Sequence, residues 1–112
     1  MNANWKVFEL NEVVERRAAE GAPYLEFLRV PDLSCGIYFL PAGAKDLQSP
    51  HDEDEVYYVI SGRARLRVEE EDRVVGPGSI LYVAATSVHS FIEIEEDITL
   101  LVFFASGGPA DA

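Results

Sequence analysis

The chain has 112 residues, 48% of them hydrophobic, and its 20 acids against 9 bases give a formal net charge of −11. That length suits one domain able to bury roughly two-thirds of the surface an unfolded chain exposes, and it leaves no room for a second. The acidity argues against nucleic acid and against an anionic membrane surface as partners, because phosphate binding needs a basic patch that releases counterions.

No stretch approaches the roughly twenty apolar residues of a membrane-spanning helix, and no leader pattern opens the chain. Cys35 is the only cysteine, so an internal disulfide is excluded and a soluble cytoplasmic protein is expected. It lies in the apolar stretch "LSCGIYFL" with no base or cation beside it, which favours an inert buried thiol over a nucleophile.

From the N-terminus, a short apolar and polar alternation turns helix-like from about Asn11 to Ala19. Asn11 is the expected N-cap, Val13, Val14 and Ala18 form a narrow apolar stripe, and Gly21 supplies the stop. Residues 1–22 are thus expected as a segment packing on the end of a barrel spanning 23–106, with 107–112 as a flexible tail.

After Pro23 the helical period disappears. Eight short strands are expected at 24–30, 33–40, 54–60, 63–69, 73–75, 79–84, 89–94 and 98–105, divided by Gly, Pro and Asp turns. Strands without interrupting helices argue for an all-β sandwich or barrel.

In "RARLRV", Arg63, Arg65 and Arg67 alternate with Ala64, Leu66 and Val68, the mark of one wet and one buried face, with the arginines in cross-strand ion pairs. In "TLLVFF" nothing alternates, so both faces are expected to be covered, one of them by a second subunit in a homodimer.

The chemistry concentrates in two places. His51 lies four residues before Glu55 at the mouth of a strand, and His89 opens another strand 38 residues further on. Two imidazoles and a carboxylate on separate strands can converge on a transition metal and leave positions open on it. By strand parity Glu55 shares a face with Tyr57, Val59 and Ser61, and an inward carboxylate among such side chains needs a cation or a proton. Phe91 shares the face of His89, with Ile92 and Ile94 assigned to the other. Against this stands the plainer reading of surface histidines beside a solvated turn, Asp52 to Asp54, and the spacing alone leaves both open.

Gly43, His51, Glu55 and Gly62 resemble the first motif of the cupin family, in which a Gly is followed by His-x-His, a Glu three or four residues on, and a Gly after six more. Gly78 to His89 is similar to the second motif, Gly-x5-Pro-x-Gly-x2-His, with Ala84 and Thr86 standing at the Pro and second Gly places. The resemblance covers about residues 36–105 and implies a double-stranded β-helix, or jelly-roll barrel, with a short N-terminal helix added here.

It further implies one divalent transition metal ion (iron, zinc, nickel or manganese) held by His51, Glu55 and His89. The first histidine of the usual pair is replaced by Ser49, so the fourth place is either empty or filled differently, by the Gln48 amide oxygen or by Ser49 through a water. Tyr57 becomes a candidate catalytic group and Phe91 a pocket wall, around a small-molecule ligand. Two histidines and a glutamate suit an oxygenase-type site. The same residues also suit a zinc- or nickel-dependent isomerase or lyase, or a non-catalytic sensing cupin.

Overall fold

The computed structural model describes residues 4–46 and 52–105. They form one helix, α1 (Leu10–Glu20), and six strands: β1 (Tyr24–Val30), β2 (Leu33–Leu40), β3 (Asp54–Val68), β4 (Glu71–Val75), β5 (Ile80–Val83) and β6 (His89–Ala105). The architecture is all-β, as expected. The helix start, the strand count and the strand parity differ from expectation, and each has a local cause.

The helix begins one residue before Asn11, so its N-cap is Glu9, which makes no side-chain capping bond. What sets its start is tertiary packing, because Phe8 stacks edge-on against Phe27 of β1 at 4.9 Å and fixes how the chain enters. Gly21 ends the helix at φ 85°, its N–H donating to the Arg17 carbonyl. Val13 is buried and Val14 half-buried, but Ala18 is exposed, so the apolar stripe is shorter than its spacing suggests. The Arg17 guanidinium sits 4.4 Å above the Phe39 ring and ties the helix to β2.

The eight expected strands are six, because 54–60 and 63–69 run together as β3, and 89–94 and 98–105 as β6. All pairing is antiparallel, in the order β1-β2-β6-β3-β4, with β5 lying on the first half of β3. The β3–β6 ladder runs from Asp54 opposite Ala105 to Val68 opposite His89.

Both long strands change parity midway. In β3, Glu55, Tyr57 and Val59 point inward, whereas Ser61 is exposed and Ala64 and Leu66 are inside. The switch lies at irregular pairing around Ser61 and at Gly62, whose φ is 97°. A strict period of two places Ser61 inside and cannot show this insertion. In β6, Glu93 at φ 48° turns the chain so that Ile94 joins the core with His89 and Phe91 instead of opposing them.

The core inside the bent sheet includes Tyr57, Val59, Leu66, Val83, Phe91, Ile98, Leu100 and Val102, all buried. Burying each large apolar side chain contributes about 1.5–3 kcal/mol before the entropy of ordering is subtracted. A second layer, Val13, Leu25, Cys35 and Ile37, is buried outside that cluster where α1 meets β1 and β2.

"TLLVFF" does alternate in burial. Leu100 and Val102 are fully inside, while Leu101 and Phe103 lie half-buried on the outer face. There they continue two cross-strand rows, Phe103–Val56–Tyr82 and Leu101–Tyr58–Ile80. Exposure rises along these rows, reaching 65% at Tyr82 and 73% at Ile80.

The arginine stripe is a solvated face with ion pairs, as its alternation suggests. Arg65 and Arg67 share Asp72 at 2.7 and 3.0 Å, and Arg63 reaches Glu95 at 3.6 Å. Exposed pairs of this kind contribute about 0–1 kcal/mol each.

Gly62 is the position where the fold has least freedom. A Cβ built there would overlap the Asp97 carbonyl oxygen and Ile98 Cα, both backbone atoms, and φ is already in the left-handed region. Gly62→Ala is expected to cost about 3 kcal/mol, strain and overlap together. Chemical denaturation measures this directly, and a loss below about 1 kcal/mol would contradict the tight crossing.

Candidate metal and ligand site

Glu55 is the second residue of β3 and His89 the first of β6, so both occupy strand ends, where a side chain can face the barrel interior without interrupting a ladder. Both are buried, at 2% and 5% exposure. His89 Nε2 lies 2.9 Å from Glu55 Oε1 and 3.3 Å from the Tyr57 hydroxyl. Its Nδ1 lies 3.0 Å from the Ser87 carbonyl, which can only accept, so Nδ1 carries a proton.

Nε2 therefore faces a carboxylate with its lone pair unless a proton or a cation lies there. The hydrogen bond to Glu55 holds the His89 pKa above its ordinary value, against the opposing effect of burial. Glu55 Oε2 is buried with no hydrogen-bond partner among the described residues. An orphaned carboxylate oxygen next to an imidazole nitrogen is a donor set that suits a divalent transition metal.

The other expected ligands, His51, Gln48 and Ser49, lie outside the described residues. Among the described residues no group of three His, Cys, Asp or Glu side chains could hold a metal ion, so Glu55 and His89 are the described part of the site.

The turn before His89 departs from the usual motif in residue type but keeps its backbone shape. Thr86, at the second Gly place, takes φ 66°, the left-handed conformation that a glycine would adopt freely. Asp54 Oδ1 accepts the Ala85 N–H at 2.8 Å and clamps this turn to the start of β3. Asp52 is exposed and Glu53 half-buried. Of the three acids before Glu55, Asp54 thus has a structural bond that composition alone did not reveal.

The structure also has a cleft of about 410 Å³, whose lining includes neither Glu55 nor His89. Tyr57 lies in its lining and bridges it to His89. Phe91 is placed differently from the expected pocket wall, because it stands behind Tyr57 in the core, their rings edge-on at 5.2 Å. The cleft's outer walls are Tyr24, Ser34, Tyr38 and Phe104, with Glu26, Arg29 and Glu53 among its polar lining.

Sequence reasoning missed Tyr24 and Tyr38, which face each other across β1 and β2. It also missed Asp46, whose carboxylate accepts the Tyr38 hydroxyl at 2.7 Å and the Phe91 N–H at 2.8 Å. Strand parity could have paired Tyr24 with Glu26 on one face, but nothing local in the sequence links Asp46 to residues 8 and 45 positions away.

The cupin domain profile matches residues 36–104, more than half of the chain. This chain belongs to the cupin family. An uncharacterized protein of Streptomyces coelicolor is 47% identical over 100 residues, 89% of this chain and 95% of its own length. Among solved structures, a Thermus thermophilus protein superposes with a TM-score of 0.74 at 22% identity, over 91% of this cupin and 98% of its own chain.

KdgF from a Halomonas species gives a TM-score of 0.67 at 21% identity over 80% of this cupin and 83% of its own chain. The DMSP lyase DddQ of Ruegeria pomeroyi gives 0.65 at 21%, over 70% of this cupin and 41% of the lyase, so the cupin spans about two-fifths of that enzyme's length. Likenesses at these identities establish the shared fold.

The His89–Glu55 contact yields a pH test in metal-free protein. A histidine whose folded pKa is raised contributes stability that is fully present below its unfolded pKa of 6.5 and is lost as pH rises through the folded value. Metal-free wild type is therefore expected to lose stability from pH 6.5 upward relative to Glu55→Gln, which lacks the charged partner. Parallel denaturation midpoints for the two proteins across about pH 5–9 would contradict the pair.

Proposed function

We propose that this cupin holds one divalent transition metal ion through His51, Glu55 and His89 and binds a small organic molecule over it in the open cleft. The observation that carries the reading is the buried Glu55 Oε2, unpartnered among the described residues and adjacent to an imidazole that contacts Tyr57 of the cleft lining. A carboxylate in such a place is disfavoured without a cation. His51 enters through the family motif, which this chain matches at Glu55, Gly62 and His89.

When bound, the metal would supply Lewis acidity at the cleft floor. The chain's own residues do the rest. Ser87 fixes the His89 tautomer so that Nε2 faces inward, and the Tyr57 hydroxyl beside it holds a proton at the edge of the cleft. Gln48 and Ser49 are the candidates for a fourth place that is otherwise left open.

Oxygenase-type turnover is the first chemistry this ligand set suits. Proton transfer of a lyase or isomerase kind is the second, favoured by the Tyr57 phenol within reach of His89 and by a fold shared with the DMSP lyases. The single buried thiol and the acidic surface suit a cytoplasmic setting.

The test is metal content of protein purified without a histidine tag. Wild type is expected to carry about one equivalent, and His51→Ala and Glu55→Ala to lose at least about tenfold in affinity. Stoichiometric iron with oxygen uptake on a substrate panel selects the oxygenase, and zinc or nickel without oxygen uptake selects the second chemistry. Metal content unchanged in both variants would remove the site.

We assign the outer face of β5, β3 and β6 to a homodimer, because exposed Ile80 and Tyr82 extend the half-buried rows of Leu101 and Phe103. Sedimentation at micromolar concentration is expected to give twice the 12.4 kDa chain mass, and Ile80→Lys to give that of one chain. A wild-type monomer would contradict the assignment.

A further inference from the structure

Among the described residues, two buried side-chain polar atoms lack a hydrogen-bond partner, Glu55 Oε2 and the Tyr24 hydroxyl. The metal reading accounts for the first and says nothing of the second. A buried, unpaired hydroxyl costs about 1–3 kcal/mol and calls for an explanation in a native fold.

The Tyr24 ring lines the cleft, held there by packing. It lies across Gly36, where an added Cβ would overlap the ring and its hydroxyl, and it packs edge-on with Tyr38 at 6.2 Å and Phe104 at 6.4 Å. Gly36 thus serves as the seat of this ring. Tyr38 offers an internal contrast. It pairs with Tyr24 across the two strands, yet its hydroxyl is satisfied by Asp46. The two phenols share the lining of the cleft, and one of them has no partner for its donor among the described residues.

Burial, with the Glu26 carboxylate next in weight, raises the Tyr24 pKa, so the group remains a phenol with a proton to donate. Its complement is an oxygen acceptor. The surrounding charge narrows the class further. Arg29 is already forked onto Glu26 at 3.0 and 2.7 Å, while Glu53 adds a carboxylate to the same lining. Among the described lining residues no second cationic side chain stands free to hold a multiply charged anion. A cleft of about 410 Å³ sits at the small end of ligand cavities, the size for a metabolite and not a polymer segment.

We propose that Tyr24 reads the ligand of this cleft by donating a hydrogen bond to a carbonyl or carboxyl oxygen on a neutral or singly charged small organic molecule. The proposal rests on reading the cleft as the ligand cavity and is independent of which metal lies beneath it. Tyr24 is a specificity-determining residue in this assignment, its hydroxyl unpartnered among the described residues and offered to the ligand.

The experiment is Tyr24→Phe, which keeps the ring and removes only the hydroxyl. A residue whose hydroxyl served the fold would weaken the protein when changed. Here the thermal midpoint is expected to stay equal to wild type or rise, because an unpaired buried polar atom has been removed. Binding is expected to move the other way. With cyclohexanone as an acceptor-bearing probe, titrated into protein as purified and followed by NMR, the variant should bind about fivefold more weakly, the worth of one hydrogen bond.

Cyclohexylammonium, of similar size but with no acceptor, should change by less than about twofold. A fall of several degrees in the midpoint would overturn the proposal. So would cyclohexanone binding that is unchanged by the substitution, or that is absent in wild type. Failure of the metal reading would show elsewhere, as metal content indifferent to His51→Ala, and would leave the stability and probe results for Tyr24 standing.

Discussion

The β3–β6 ladder dominates this protein because it has to fold over on itself. Glu55 stands near the end where Asp54 meets Ala105, and His89 marks the other end, opposite Val68. Thirteen residues of strand separate Glu55 from Val68, about 40 Å if the strand were straight. Yet the Glu55 and His89 side chains meet at 2.9 Å. Only a sharp bend in the middle of both strands reconciles the two facts. Gly62, crossing against Asp97 and Ile98 where no Cβ fits, is where that bend is made.

Closure then determines the chemistry. Bringing the two ends together encloses a carboxylate and an imidazole in a core of aliphatic and aromatic side chains, where the low dielectric makes every unpaired group costly and every paired one strong. Small bonds stabilise the closed form from outside: Asp54 holds the turn before His89, Glu69 Oε2 accepts the Val88 N–H, and Asp46 joins β2 to β6. Each of these acids is a partner for a backbone amide, and Asp46 for a tyrosine as well. An acidic chain can thus commit several carboxylates to holding its shape while Glu55 keeps one oxygen unpartnered among the described residues.

Much of this was legible in the residues, and the rest was hidden for definite reasons. Short strands cut by turns announced an all-β fold, and the spacing of Glu55, Gly62 and His89 marked the cupin motif together with two side chains that do meet. Strand count and parity were not legible, because a bulge inserts a residue without changing composition. Ser61 and Ile94 were therefore placed on the wrong faces. Asn11 was a good cap by type, yet the stacking of Phe8 on Phe27 set the helix start instead. Tyr24, Tyr38 and Asp46 come from three segments whose convergence depends on strand order, which no local pattern encodes. Phe91 shared the histidine's face as parity required, but a face does not say whether a side chain ends at a cavity or behind another ring.

The bent ladder also has a consequence for the order in which the chain folds. Glu55 and His89 are 34 positions apart in sequence and their side chains meet only where β3 and β6 are paired and creased, so the pair exists only in the folded barrel. An ion or ligand that uses both cannot act as a template for the early chain. It meets a barrel already shaped by its hydrophobic interior and acts by mass action, trapping the closed form against transient opening of the crease. In such a protein the loaded site works as a latch on the finished fold, and hydrogen exchange along the middle of β3 and β6, more than at their ends, is where that latch would be felt.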